Sequence, residues 1–209
     1  SNHRSKYNFI DGTDLDIDQE LINASKHIDQ DFDLVSRLKA YFNFGVVPAK
    51  RVQFEFGTPR LFHYNFCSDV VYEQPENEYD GSINLIFAER RTVEEIQMSS
   101  MGAVTQVFVL FRDITGIRDA MFEIDKINYV IEKHAEDKVA LQILQEEMQF
   151  QLTRLADYVT GKMFRGDEAA VWIWNGDTIP DVFSIRHLNA LLSDVCIEAY
   201  PNTPVYKNE

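Results

Sequence analysis

The residues best placed to do chemistry are charged side chains that follow two apolar runs, "INLIFA" (83–88) and "QVFVLF" (106–111). The four candidates for ligand or partner contact are Glu89, Arg90, Arg112 and Asp113. In a parallel sheet, ligands gather beyond the carboxyl ends of the strands. Glu89, Asp113 and one acid of a nearby loop could hold a metal ion if they converge. Because no glycine-rich loop lies beside them, we interpret them as solvated strand ends, with a ligand site as the alternative.

Two other stretches resemble binding motifs but fail at the positions that matter. "DLDIDQE" (14–20) alternates carboxylates like an EF-hand loop, which needs Gly at its sixth position and Glu at its twelfth. The chain has Gln19 and Ser25 there. "TGKM" echoes a phosphate loop, but Ala156 and Met163 stand where a glycine and a hydroxyl are required. The sequence therefore predicts no cofactor, no metal site and no recognisable catalytic constellation, which favours a domain that is not an enzyme.

The histidines and cysteines show no spacing typical of a metal site or a nucleophile. His63 is the only histidine on a predicted strand, where it shares a face with Leu61 and Asn65. We interpret it as a structural polar residue rather than a ligand or base. Cys196 lies on an apolar helix face and is predicted to be a core residue, and Cys67 is predicted to be a second reduced thiol.

Residues 46–113 predict the sheet that would position the strand-end candidates. Alternate residues are apolar over 52–56 and again over 62–66, which is typical of two half-buried strands. Gly-Thr-Pro at 57–59 supplies a turn between them, so we expect a hairpin. The acidic, turn-rich stretch 68–81 is predicted to be a surface loop.

The runs 83–88 and 106–111 are nearly continuous in apolar residues, as expected of strands covered on both faces. Thr92 and Glu95 form a capping-box pattern that starts a short helix between them. A connection of this length favours parallel pairing through a right-handed crossover. The hairpin and this βαβ unit together predict a mixed sheet.

Helices are predicted for most of the remaining chain. Residues 1–45 form an acidic helical N-terminal segment, with apolar residues at helical spacing over 14–43. Residues 114–165 carry two apolar stripes with a break between them, which predicts a long antiparallel helical hairpin. Residues 166–209 contain a strand, an Asn-Gly turn and a final helix capped by Ser184. The predicted fold class is α/β: a mixed sheet with one hairpin and a βαβ unit, a helical hairpin and a C-terminal helix.

Charge and composition narrow the classes of partner. The chain has 209 residues and a net charge of −14, and Asp11 to Asp33 contain eight acids against Lys26 alone. Because DNA binding depends on Lys and Arg that neutralise phosphates, the net charge disfavours DNA as a partner. No stretch approaches the roughly 20 apolar residues of a membrane span, and no charged-then-apolar leader is apparent. We therefore expect a cytoplasmic protein with no membrane partner.

Three stretches resemble an internal region of very large bacterial P-loop ATPases. They are "AMFEIDKINYVIEKHAEDKVALQILQEEM" (120–148), "VWIWNG" (171–176) and "LSDVCIEAYPNTPVYKNE" (192–209). These ATPases are the ATP-binding components of phage-exclusion (BREX-type) and related DNA-defence systems. Upstream, "RVQFEFGTPRLFHYNF" and "VFVLFRD" are similar to the region that precedes the helical hairpin in that family. The resemblance covers about residues 50–209.

The resemblance implies that the chain is an excised domain whose Pro-Asn-Thr-Pro segment leads into the next domain. The ATPase activity of the family depends on a phosphate loop and partner acids, which match no position here, so no functional residue carries over. What the resemblance implies is a non-catalytic scaffold or protein-interaction domain. Its partners would be other domains of the parent ATPase and neighbouring defence proteins.

Two alternatives stay open. The first is a DNA-binding accessory domain, in which the last helix (184–199) and the turn at Trp172 and Trp174 form a winged-helix-like unit; that helix carries few basic residues. The second is a metal-dependent enzyme that uses Glu89, Asp113 and a loop acid. A convergent carboxylate cluster would favour the enzyme, and a basic face would favour DNA binding.

Overall fold

In the part of the chain that the structure describes, the apolar patterns of the sequence correspond to six strands, which form one mixed sheet, and to six α-helices. The computed structural model describes residues 12–69, 78–202 and 204–205. The strands are β1 (Val46–Gln53), β2 (Pro59–Cys67), β3 (Gly81–Ile86), β4 (Gln106–Phe111), β5 (Ala170–Trp174) and β6 (Asp177–Ile179). The helices are α1 (Ile17–Ala24), α2 (Leu34–Tyr41), α3 (Val93–Ser100), α4 (Thr115–Lys133), α5 (Lys138–Met163) and α6 (Ile185–Ala199). The predicted α/β fold class is confirmed.

The six strands form a single sheet in the order β1-β2-β3-β4-β5-β6. β2, β3 and β4 run parallel to one another, whereas β1–β2, β4–β5 and β5–β6 pair in the antiparallel sense. The predicted βαβ unit is present as β3-α3-β4. Both of its strands are buried along their whole length, as their continuous apolar runs indicate.

Helix α3 covers one face of the central strands and begins at the predicted cap. The backbone N–H of Glu95 donates to Oγ1 of Thr92 at 3.2 Å, and the Thr92 hydroxyl lies 3.3 Å from Oε1 of Glu95. Ile96 of this helix is fully buried in an apolar cluster. The other buried members of the cluster are Ile86, Phe108, Leu110, Val171 and Ile173. The cluster holds α3 against the sheet, so the ends of α3 are fixed relative to the strands.

The predicted hairpin is present, but its first strand lies earlier than expected. β1 ends at Gln53, and Phe54 and Phe56 lie in the turn, 39% and 87% exposed. The turn closes through a hydrogen bond from the N–H of Gly57 to the carbonyl of Phe54 at 2.9 Å, with Gly57 at φ +81°. The chain therefore reverses before the two phenylalanines can pair. β1 begins at Val46 and tolerates Pro48 because it is an edge strand.

The helical segment predicted over 14–43 consists of α1, a 3-10 helix at Ser25–His27 and α2. Between the 3-10 helix and α2, the carboxylate of Asp29 accepts the backbone N–H of Asp31 at 2.9 Å. Asp33 then accepts the hydroxyl of Ser36 at 2.7 Å at the start of α2. Aspartate side chains that bond nearby backbone groups compete with helix propagation, which explains the interruption. Residues 1–11 of the predicted acidic segment lie outside the described residues.

The chain divides into two compact units. One comprises the described residues up to Arg37 together with Thr115–Tyr158, and contains α1, α4 and most of α5. The other comprises Leu38–Ile114 and the described residues from Val159 onward, and contains the whole sheet, α3 and α6. The first unit combines parts of the segments 1–45 and 114–165, and the second unit contains residues from all four segments delimited in the sequence. The candidate residues at the strand ends all belong to the sheet unit.

Candidate functional site

The four predicted site residues all lie at the carboxyl edge of the parallel strands, and all are exposed. Glu89 and Arg90 follow β3, and Arg112 and Asp113 follow β4 directly. They do not converge on a metal site, because no three His, Cys, Asp or Glu side chains in the described parts of the chain are grouped closely enough to hold an ion. Most of the loop predicted at 68–81 lies outside the described residues, which omit 70–77.

An arginine that the sequence analysis did not single out dominates the electrostatics of this edge. Arg91 donates two hydrogen bonds to the carboxylate of Asp69, beyond β2, at 2.8 and 2.7 Å. A third, at 2.8 Å, reaches Glu95 on α3 and is the main cause that lowers the pKa of that carboxyl. The i,i+4 spacing of Arg91 and Glu95 was a visible sign of this pair. In this pairing the charges of Arg91, Asp69 and Glu95 offset one another, so these three side chains attract a charged ligand less strongly.

Asp113 has a local structural task at the end of β4. Its backbone lies in the left-handed region at φ +49°, which Asp tolerates better than most residues. The carbonyl oxygen of Asp113 accepts a hydrogen bond from Nζ of Lys162 at 3.1 Å, and Lys162 is 8% exposed. The neighbouring Arg112 N–H donates to the carbonyl of Ala169 at 2.9 Å. These contacts fix the turn that joins β4 to α4.

A row of amides crosses the parallel strands, and we call Asn65, Asn84 and Gln106 the polar ladder. Asn84 donates through Nδ2 to Oε1 of Gln106 at 3.0 Å and accepts from Nδ2 of Asn65 at 3.2 Å. Asn84 and Gln106 are 6% and 2% exposed. No buried side-chain nitrogen or oxygen in the described residues lacks a hydrogen-bond partner. The ladder is satisfied from within the sheet and presents no free group to a ligand.

Beside the ladder, His63 of β2 and Ser82 of β3 form a pair that superficially resembles a base and a nucleophile. Nε2 of His63 lies 2.9 Å from Oγ of Ser82, and the ring of Tyr79 stacks on the imidazole with centroids 4.6 Å apart. Ser82 is completely buried, however, so a substrate cannot approach its hydroxyl. The geometry supports a structural contact between neighbouring strands rather than nucleophilic catalysis.

The parts of the winged-helix-like alternative lie at opposite edges of the sheet. α6 packs on β1, where the carboxamide of Asn189 accepts the N–H of Lys50 at 2.8 Å. The turn between β5 and β6 is at the other edge. Both tryptophans are used internally: Nε1 of Trp172 donates to the carbonyl of Met163 at 2.8 Å, and Nε1 of Trp174 to that of Val104 at 2.9 Å. The helix and the turn therefore do not form one surface.

The end of α3 and the β5–β6 turn together form a rigid corner. The N–H of Gly176 donates to Oγ of Ser100 at 2.8 Å, and the N–H of Gly102 to Oδ1 of Asn175 at 3.1 Å. Gln97 donates through Nε2 to the carbonyl of Gly176 at 3.1 Å.

This corner displays two methionines, Met98 and Met101, which are 73% and 64% exposed. We call these two residues, with the turn at Asn175-Gly176, the methionine corner. Sequence reasoning missed it because its two halves are far apart along the chain, and only the solvent-facing position of Met98 on the amphipathic α3 hinted at it.

Comparison with known proteins gives no match to a family model, a curated protein or a solved structure. Among the helices of the described residues, none is both long enough and apolar enough to cross a membrane.

Proposed function

We propose that this chain is a non-catalytic protein-interaction domain of a large bacterial P-loop ATPase of the phage-exclusion (BREX-type) or related DNA-defence class, acting in the cytoplasm. The observation that carries the interaction role is the methionine corner: two large apolar side chains held on a hydrogen-bonded surface. The class of parent protein is supported by the sequence resemblance over about residues 50–209.

The rigidity of the corner favours recognition. Three hydrogen bonds tie the turn at Gly176 to α3, so the surface loses little conformational entropy when a partner binds. Methionine side chains are flexible and polarisable, and they adapt to the shape of an apolar partner. Exposing Met98 and Met101 side by side costs hydration free energy that a bound partner would recover.

The other polar features support a structural reading. Asn84 and Gln106 of the polar ladder are buried and hydrogen-bonded, and Arg91 is engaged by two carboxylates at the strand edge. Neither arrangement offers a reactive group held in a cleft, which a catalytic site requires. The role of the sheet is then to hold its surfaces in fixed positions.

The interaction role is tested with purified neighbouring defence proteins and the remaining part of the parent ATPase. We expect one of them to bind the chain, and the double variant Met98→Gln/Met101→Gln to weaken that binding at least ~10-fold while keeping the wild-type melting temperature. Binding that is unaffected by the double variant would overturn the role of the corner.

Two further measurements address the class of protein. The reading frame that encodes the chain should also encode a phosphate loop G-x-x-x-x-G-K-[ST], and a frame without one would refute membership of an ATPase. Fluorescence anisotropy with double- and single-stranded DNA, at low and physiological salt, should show no binding. A salt-dependent, micromolar affinity would instead favour the DNA-binding accessory domain.

A further inference from the structure

We infer that the methionine corner binds a basic amphipathic segment of a partner protein, one that presents Lys and Arg around large apolar anchors. The inference rests on the proposed function and deepens it, because it names the chemistry of the partner. Two features carry it: the placement of the methionines and the charge of the stretches that build the corner.

Met101 brings the apolar end of α3 against the β5–β6 turn. Met98 and Met101 are three residues apart, so they lie on the same side of the chain at the end of α3. Met101 also reaches over the turn, since a Cβ at Gly176 would stand only 3.1 Å from its Cγ. The absence of a side chain at Gly176 thus lets Met101 lie against the turn. The result is a shallow apolar platform for one or two anchors of a partner.

The stretches that build the corner carry acidic side chains, and the basic residues nearest to them in the sequence, Arg90 and Arg91, precede α3. The two stretches that build the corner, 93–105 and 172–179, contain Glu94, Glu95 and Asp177 and have no Lys, Arg or His. Glu95 is paired with Arg91. Glu94 is exposed one helical turn before Met98, and Asp177 is exposed directly after Gly176. Carboxylates therefore flank the methionines at both ends.

This combination of charge and apolar surface favours one kind of partner segment. Positive side chains on a partner segment would meet Glu94 and Asp177 while its apolar anchors cover Met98 and Met101. A nucleic acid would bring phosphates to the same carboxylates and be repelled. An acidic segment would be repelled for the same reason, so we commit to a basic one.

Methyl NMR of the intact chain tests the inference directly. The chain contains five methionines, and Met121, Met148 and Met163 are 0%, 7% and 1% exposed. With ¹³C-methyl-labelled methionine, the two exposed residues report on the corner and the three buried residues are internal controls. The probes are a synthetic amphipathic helical peptide of leucine and lysine and a peptide of equal length in which glutamate replaces lysine.

We expect the lysine peptide to shift the Met98 and Met101 signals in a saturable way, leave the three buried signals in place, and bind at least ~10-fold more tightly than the glutamate peptide. The variant Glu94→Lys/Asp177→Lys should lower the affinity for the lysine peptide ~10-fold or more. Met98→Gln/Met101→Gln lacks the two NMR reporters, so its binding is followed by fluorescence anisotropy of the labelled lysine peptide, and the interaction should be abolished. Phe150→Gln, which removes a 52% exposed aromatic side chain from α5, is the matched control and should change nothing.

Any of three results would overturn the inference. The two peptides could bind equally, the Met98 and Met101 signals could fail to shift, or the shifts could extend to the buried methionines. The outcome is separable from that of the proposed function. If the lysine peptide fails but a natural partner is lost with Met98→Gln/Met101→Gln, the interaction role stands and the basic chemistry is wrong. If a natural partner is also unaffected by that variant, both are wrong.

Discussion

Asn84, within β3, donates its side-chain amide at 3.0 Å to Gln106, the first residue of β4, and both strands are buried along their length. The same nitrogen lies 3.2 Å from the carbonyl of Val107, and the Asn84 oxygen accepts from Asn65 of β2. The nearly continuous apolar runs of β3 and β4 do little to fix the register between these two strands. A buried amide row is satisfied in one register and not in its neighbours, so it specifies the pairing.

Replacing Asn84 by Leu should therefore cost about 3 kcal/mol of unfolding free energy, because it removes the donor to the buried side-chain oxygen of Gln106 and the acceptor of the Asn65 amide. Urea denaturation followed by tryptophan fluorescence measures this, since Trp172 and Trp174 lie in the same sheet. The matched control is Thr178→Ala, at an exposed position of β6, which should change stability by less than about 0.5 kcal/mol. Similar losses in both variants would contradict a special contribution from the ladder.

The start of β3 is a second place where one atom decides stability. A Cβ at Gly81 would lie 2.4 Å from both Cε1 of Phe62 and the carbonyl oxygen of Thr105. Gly81→Ala should thus lower the free energy of unfolding by about 2–3 kcal/mol through overpacking against a buried ring and a backbone atom. Thermal unfolding followed by circular dichroism gives the shift in Tm.

Gly161→Ala is the matched control for this prediction. Gly161 lies inside α5, where the nearest atom to an added Cβ is the flexible end of Arg165 at 3.4 Å. Alanine is a better helix former than glycine, so this variant should gain about 0.5–1 kcal/mol. If the free energy of unfolding falls in Gly81→Ala and rises in Gly161→Ala, a general effect of replacing glycine by alanine does not explain both results. Equal effects would refute the packing argument at Gly81.

The central part of the fold was predictable because its signals are local. The six-residue apolar run at 106–111 is β4 residue for residue, and Thr92 with Glu95 marks the start of α3 through bonds that span three residues. The helical hairpin follows from two long apolar stripes and a break. In each case residues that are close together in the sequence support the same interpretation.

Features that depend on contacts between distant residues were not predictable. The alternation at Phe54 and Phe56 matched a strand, but the turn at Gly57 ends β1 first. The strand-end candidates were placed at the correct edge, yet whether carboxylates converge there depends on how far neighbouring strands project beyond the sheet. Arg91 reaches Asp69 across 22 residues, and no local pattern indicates which acid it will choose.

The two cysteines should differ strongly in reactivity. Burial raises the pKa of the Cys196 thiol to about 12, and Cys196 is 0% exposed, whereas Cys67 is only half-buried at the end of β2. Since the thiolate is the reactive species, iodoacetamide at pH 8 should modify Cys196 at least ~100-fold more slowly than Cys67. Intact-mass spectrometry of the wild type and of Cys67→Ser follows the two rates. The prediction fails if Cys67→Ser is labelled in the folded state as quickly as in urea.

Acid should weaken the attachment of α1 to the end of α4. Nε2 of His134 lies 2.9 Å from Oε2 of Glu20, and Nζ of Lys133 lies 3.3 Å from the same oxygen. The hydrogen bond with His134 is the main cause that lowers the pKa of Glu20 below its ordinary value of 4.5 in the folded chain. A lowered carboxyl pKa means that the stabilisation is fully present above pH 4.5 and is lost as the pH falls through the folded value.

The variant Glu20→Gln isolates this effect, because its side chain cannot ionise. The difference in Tm between wild type and variant should be largest near pH 6 and shrink towards zero as the pH approaches 3. Its size should be small, corresponding to less than about 1 kcal/mol, since Lys133 is half exposed and solvent screens the pair. Scanning calorimetry at half-unit pH steps between 3 and 6 makes the comparison. A Tm difference that stays constant over that range would show that Glu20 acts through packing and not through its charge.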